Sequence, residues 1–328
     1  MHLLACDGAQ DLAQGVAREL GLPLLQRKET WFSCGEGKLI VQQNVRGSHV
    51  YVFQQPIVPG SSRSVYDRLM MLLHACEACT LADASSVTAV LPYYPTARQD
   101  RRLARTREGI HAGLVARMLE AAGVRRVVTV EIHNEAIAGM FHPARCRLEN
   151  VYVSAWLAPW LRAKGLCGDT VVSPDVGGLK RARRFASILE SDLAALSKER
   201  DYSQPGTVNR SSLLGSVDGQ DVLLIDDIVD TGGSVVAAID ELRANGAVNV
   251  TVACAHPLLS GPAWDRMSAM HARSVDEGWR FRLVGTSSVC HADAPDWYLE
   301  FALEPLLAKV LRNMHAGGSV TQVQESSP

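Results

Sequence analysis

Hydrophobic and polar positions along this chain follow two alternating periods. Short apolar runs rich in branched residues, bounded by turn residues, predict buried strands at 39–42, 50–53, 87–91, 126–130, 169–172, 193–196, 222–225 and 280–284. Elsewhere apolar residues recur every three or four positions. Val65, Leu69, Leu72, Leu73 and Cys76 form one such stripe, with Ser64 and Asp67 spaced as a capping pair. The same period predicts helices over 110–122, 179–190, 234–245, from about 258, and over 304–314. Strands alternating with helices predict an α/β fold.

The pattern repeats. Helix 110–122 ends at Gly123, a strand follows, and His133 stands ten residues after the glycine. Helix 234–245 ends at Gly246, a strand follows, and His256 again stands ten residues on. Two similar domains are therefore expected, over 1–150 and 151–315. Residues 316–328, rich in Gly, Ser and Gln, are expected to be a disordered tail.

Composition narrows the class. At 328 residues, about two domains are expected. A hydrophobic share of 47% and a charged share of 21% are those of a soluble globular protein. A net charge of −2 argues against a nucleic-acid partner, and no apolar run approaches the ~18 residues of a membrane span. The opening residues lack the basic and apolar regions of a signal peptide. The eight cysteines are scattered, as expected for reduced thiols in a cytoplasmic protein, and Cys76 and Cys79 read as a packed helix face.

Candidate chemistry sits where strands end. Strand 222–225 runs into Asp226 and Asp227, then Asp230, Thr231, Gly232, Gly233 and Ser234, where a helix begins. Glycines admit backbone N–H groups close to an anion, and a helix N-terminus adds positive charge. The carboxylates repel a phosphate, so they must serve another part of the ligand. A sugar phosphate satisfies both demands, with hydroxyls on the acidic pair and phosphate in the glycine turn. Strand 87–91 empties into a loop holding Arg98, Gln99, Asp100, Arg101 and Arg102. Strand 169–172 empties into Ser173-Pro174-Asp175-Val176-Gly177-Gly178. Residues 201–211 are polar and read as a mobile flap.

Four stretches carry a family resemblance in order: Asn44-Val45-Arg46-Gly47, Ala97-Arg98-Gln99-Asp100-Arg101, Ser173 to Gly178, and Asp226 to Gly233. Together, over roughly residues 30 to 290, the chain resembles ribose-phosphate pyrophosphokinase. The resemblance implies two type I phosphoribosyltransferase-like domains, each a mostly parallel sheet flanked by helices. It implies that ATP and ribose 5-phosphate give phosphoribosyl pyrophosphate and AMP, with magnesium. It also implies roles. Lys198 and Arg200 are the cationic pair that closes on the transition state, and Arg98 and Gln99 contact ATP. His133 and Asp175 belong to the magnesium site. Asp226 and Asp227 hold the ribose hydroxyls, and Asp230 to Ser234 hold the 5-phosphate. Phe32, Cys34 and Glu36 reach the adenine of a neighbouring subunit, which makes the protein a homo-oligomer, at least a dimer.

The chain also departs from the family pattern. Cys34 replaces the usual Asp or Asn, and a thiol is a poor partner for the adenine edge. Weaker discrimination among nucleoside triphosphates is expected; strict ATP use, unchanged in Cys34→Asp, would remove that expectation. Pro95-Thr96 replaces Gly-Tyr, Gly109 replaces Pro, and Glu131-Ile132-His133-Asn134-Glu135 replaces Asp-Leu-His-Ala-Asp. Such divergence keeps open a catalytically silent, regulatory homologue. A lone phosphoribosyltransferase fits less well, because it explains neither the Arg98 loop nor the repeat.

Overall fold

The computed structural model describes residues 1–103, 105–200 and 208–325, without the side chains of 198–200 and 208–211. Its first half contains β1 (His2–Ala5), α1 (Gln10–Leu20), β2 (Arg27–Trp31), β3 (Gly37–Val41), β4 (His49–Phe53), α2 (Val65–Leu81), β5 (Ser86–Val90), α3 (His111–Ala121), β6 (Arg126–Val130) and β7 (Arg147–Val151). The second contains α4 (Ser154–Ala163), β8 (Thr170–Ser173), α5 (Leu179–Leu189), β9 (Asp192–Arg200), β10 (Val208–Leu214), β11 (Val222–Val229), α6 (Gly233–Ala244), β12 (Val250–Pro257), α7 (Ala263–Asp276), β13 (Phe281–Thr286) and β14 (Tyr298–Phe301). Then come α8 (Glu304–His315) and α9 (Val320–Glu325).

Two compact units result, Met1–Tyr152 with Ser287–Cys290 and Ala302–Val323, and Val153–Thr286 with His291–Phe301. The first holds a parallel sheet in the order β1-β4-β5-β6-β7, and β2 and β3 form a separate antiparallel hairpin. The second holds a sheet in the order β10-β9-β8-β11-β12-β13-β14, parallel except where β10 meets β9. Its central strands are buried on both faces, which explains why they read as unbroken apolar runs. Strand order reverses at β8. The chain leaves β8 for β9 on one side, then returns to lay β11 on the other. Open α/β sheets bind ligands in the crevice at such a switch, beyond the strands' carboxyl ends.

The repeat is seen in the backbone. Gly123 (φ 83°) and Gly246 (φ 88°) close α3 and α6 in the left-handed conformation before β6 and β12. The chemistry of the two histidines differs. His133 is exposed beyond β6, and His256 is buried within β12. The Ser64–Asp67 capping box on α2 also forms as expected.

Several expectations need correction. Helix α8 belongs to the first unit, not the second: Arg312 donates to the Glu19 carbonyl at 2.8 Å, and Glu304 lies against Gly15 of α1. A Cβ at Gly15 would stand 2.5 Å from Glu304 Cγ, so the missing side chain is what admits α8. Residues 316–325 are not a disordered tail, since α9 forms there and buries Val323. The strand expected at 193–196 extends to Arg200 and pairs with β10. The helix expected from 258 begins at Ala263, because Leu259 adopts φ 47° and turns the chain first. Residues 201–207 of the expected flap lie outside the described residues.

Candidate active site

The second unit builds its site where β8 and β11 end. Asp175 follows β8 and is exposed. One of its carboxylate oxygens accepts from the Gly178 N–H at 2.8 Å, and the Ser173 hydroxyl donates to its carbonyl at 2.6 Å. Gly178 must lack a side chain, since a Cβ would meet Ser173 Oγ at 2.7 Å.

Asp226 and Asp227 are adjacent on β11, so their side chains leave opposite faces of the sheet. Asp227 is buried and paired with Arg181 of α5, at 3.5 Å. Asp226 is half-buried and accepts from the Asp227 N–H at 2.8 Å. Burial first, then the like charge of Asp227, push the Asp226 carboxyl well above the usual carboxylate range. The two acids therefore have different environments.

Beyond them the chain bends through Asp230 and Thr231 into Gly232, which is left-handed at φ 75° and precedes α6. No side chain caps α6. Its first-turn N–H groups have no partner within the helix and suit an anion. Thr231 to Ser234 thus run into an uncapped helix start, with Asp230 just before them.

The first unit brings other loops together. After β5, the chain turns through Thr96 (φ 59°) to place Arg98 and Gln99 at the surface. Gln99 is hydrogen-bonded to His111 at the start of α3. Asn134, beside His133, donates to Asp100, tying the loop after β6 to the loop after β5. His133 and Arg98 therefore share one region of the first unit. Phe32, Cys34 and Glu36 occupy the exposed tip of the β2–β3 hairpin. A turn there closes through Gly35 N–H to Phe32 C=O at 2.9 Å. Lys198 and Arg200 lie outside the residues whose side chains are described.

Comparison with known proteins decides the family. The N-terminal domain of ribose phosphate pyrophosphokinase matches residues 1–123, and the phosphoribosyl transferase domain matches residues 154–288. Ribose-phosphate pyrophosphokinase 1 of Streptococcus agalactiae is 39% identical over 269 residues, covering 81% of each chain. The chain belongs to the ribose-phosphate pyrophosphokinase family. Ribose-phosphate pyrophosphokinase of Listeria ivanovii is 34% identical over 99% of this chain and 97% of its own. The crystal structure of phosphoribosylpyrophosphate synthetase from Mycobacterium smegmatis superposes with a TM-score of 0.83 at 30% identity, over 97% of this chain and 99% of that one.

A member of this family implies magnesium, and the donors suit that ion's habits. Among the described residues, no three His, Cys, Asp or Glu side chains converge as a metal cage. Magnesium retains several waters and is usually held by one or two carboxylates together with substrate phosphates. In the second unit an exposed Asp175 with one oxygen engaged fits such loose ligation better than a closed site; His133 is exposed in the first.

Two arginines beside these loops carry no local sequence signal. Arg181 pairs with Asp227, and Arg266 donates to the Thr231 carbonyl at 2.8 Å. Both are arginines on helices remote in sequence from the motif they serve. Only the packing of α5 and α7 reveals them. Cys76 and Cys79 are buried in the first core, as a packed face should be, and no helix among the described residues is long and apolar enough to cross a membrane.

Proposed function

We propose that this chain transfers the diphosphate of ATP to the anomeric hydroxyl of ribose 5-phosphate. The anomeric oxygen attacks the β-phosphorus in line. The bond from that phosphorus to the α–β bridging oxygen breaks, and AMP leaves with the oxygen. The hydroxyl proton passes to solvent. The products are phosphoribosyl pyrophosphate and AMP. The observation that carries this reading is on β11: carboxylates suited to sugar hydroxyls run directly into an uncapped helix start suited to a phosphate.

In this reading Asp226 receives ribose hydroxyls, Asp227 braces the site through Arg181, and Thr231 to Ser234 hold the 5-phosphate. Arg98 forks onto the phosphates of ATP, a geometry lysine lacks, and Gln99 lies by the nucleotide. Phe32, Cys34 and Glu36 meet the adenine of a neighbouring subunit, so the working form is a homo-oligomer of two or more chains. His133 and Asp175 would hold magnesium, which when bound neutralises charge on the phosphates. Lys198 and Arg200 place cations where charge develops, and such positioning provides most of the catalysis in phosphoryl transfer. A silent regulatory homologue is disfavoured, because Arg98, His133, Asp175, Lys198, Arg200, Asp226 and Asp227 are all present.

Lys198→Ala tests the assignment. Its cation acts mainly in the transition state, so kcat should fall ~100-fold or more, with the KM for ribose 5-phosphate within about threefold of wild type. Unchanged kcat with a raised KM would remove Lys198 from catalysis.

A further inference from the structure

Three consecutive carbonyls of the phosphate loop are held from behind by one segment. Leu259 N–H donates to Val229 C=O at 3.0 Å, Ser260 N–H to Asp230 C=O at 3.0 Å, and Arg266 Nη1 to Thr231 C=O at 2.8 Å. The chain reaches this position through Leu259 at φ 47°, a conformation costly for a branched residue and retained only where surroundings enforce it. In a planar trans peptide, C=O and the next N–H point in opposite directions. Fixing these carbonyls toward residues 259–266 therefore turns the N–H groups of Asp230, Thr231 and Gly232 the other way. Successive N–H groups turned to one side make an anion-binding concavity.

The last of the three peptides is the vulnerable one. Thr231–Gly232 ends in a glycine, which tolerates positive and negative φ alike. Rotation of that peptide would bring the Thr231 carbonyl into the cradle, where it repels a phosphate. That carbonyl is held by a side chain, Arg266, rather than by a backbone N–H from residues 259–260. The guanidinium lies close over the helix start, with Nη1 3.4 Å from where a Gly233 Cβ would stand. Met267 and Ala263 of the same helix face pack on Gly232.

The geometry points to Arg266 as a positioning residue for the sugar-phosphate site: it locks the Thr231–Gly232 peptide with its carbonyl outward, so that the Gly232 N–H meets the 5-phosphate. This rests on the proposed assignment of that loop to ribose 5-phosphate. Arg266 acts through the peptide and does not itself touch the ligand.

Calorimetric titration of ribose 5-phosphate into the full-length wild type, Arg266→Met and Arg266→Lys tests it without relying on turnover. Arg266→Met should weaken binding about tenfold, the effect of losing one well-placed donor to a charged group, and Arg266→Lys, which keeps a donor, should recover most of it. Thermal melts of all three should agree within a few degrees. In steady-state assays the KM for ribose 5-phosphate should rise in Arg266→Met, with the KM for ATP unchanged. Equal binding by wild type and Arg266→Met overturns the inference, as does equal weakening in Arg266→Lys. If Arg266→Met does not fold, Arg266→Lys decides alone: near-wild-type affinity supports the lock, and a tenfold loss overturns it. Absence of binding by the wild type would instead overturn the assignment of the loop.

Discussion

His49 shows how a single side chain ties pH to stability in the first unit. Its ring stacks on Tyr51 at 4.3 Å and its Nε2 lies 2.8 Å from Thr88 Oγ1, while the His315 ring at the end of α8 stands 5.6 Å away. Burial, followed by the positive charges of His315, the N-terminal amine and Arg126, pushes its pKa down to about 4. The unfolded chain binds a proton at the usual 6.5, and the folded chain resists until about 4. Between those values the unfolded state holds more protons, so stability falls as pH drops from 6.5 toward 4. Thermal midpoints measured across this window should decline for the wild type and less steeply for His49→Phe. Equal declines would dismiss His49 as the source. The active-site acids teach the same lesson. As letters, Asp226 and Asp227 are equivalent. Only the pairing of Asp227 with Arg181 separates a braced acid from its neighbour.

The turn between β11 and α6 is the element on which the proposed sugar site depends. Gly232 is needed there for two reasons: φ is 75°, and a Cβ would approach Met267 Cε to 3.0 Å. Gly232→Ala should destabilise the protein by about 1–2 kcal/mol in denaturant titrations and weaken ribose 5-phosphate binding. A variant as stable as wild type would show that the left-handed turn is not required. This element was legible in the sequence almost completely, because strand, acids, glycines and helix start are contiguous. The brace behind it was not. Arg266 comes from the next helix, and no local period relates it to Thr231. Helix α8 was misplaced for a similar reason: its apolar stripe announces a helix but not the partner, and Gly15, far away in sequence, supplies the groove.

At the scale of the whole molecule, one α/β plan is used twice with different chemistry. Both sheets place their loops at the carboxyl ends of parallel strands. Only the second sheet has a reversal of strand order, at β8, next to the strand ends that carry Asp175 and Asp226. The first sheet runs in sequential order and presents instead the arginine loop and the His133 loop, joined through Asp100 and Asn134. Under the proposed function, nucleotide and sugar-phosphate binding are divided between these two units. The repeat of glycine, strand and histidine was visible in the sequence. That His256 is buried while His133 is exposed was not, since equal spacing does not fix equal strand length. The most direct measurement is to incubate the purified protein with ribose 5-phosphate, ATP and magnesium and to quantify products by chromatography. AMP and phosphoribosyl pyrophosphate should appear together in equal amounts, and neither should form without ribose 5-phosphate. ADP in place of AMP, or no phosphoribosyl pyrophosphate from a folded protein, would contradict the proposed activity.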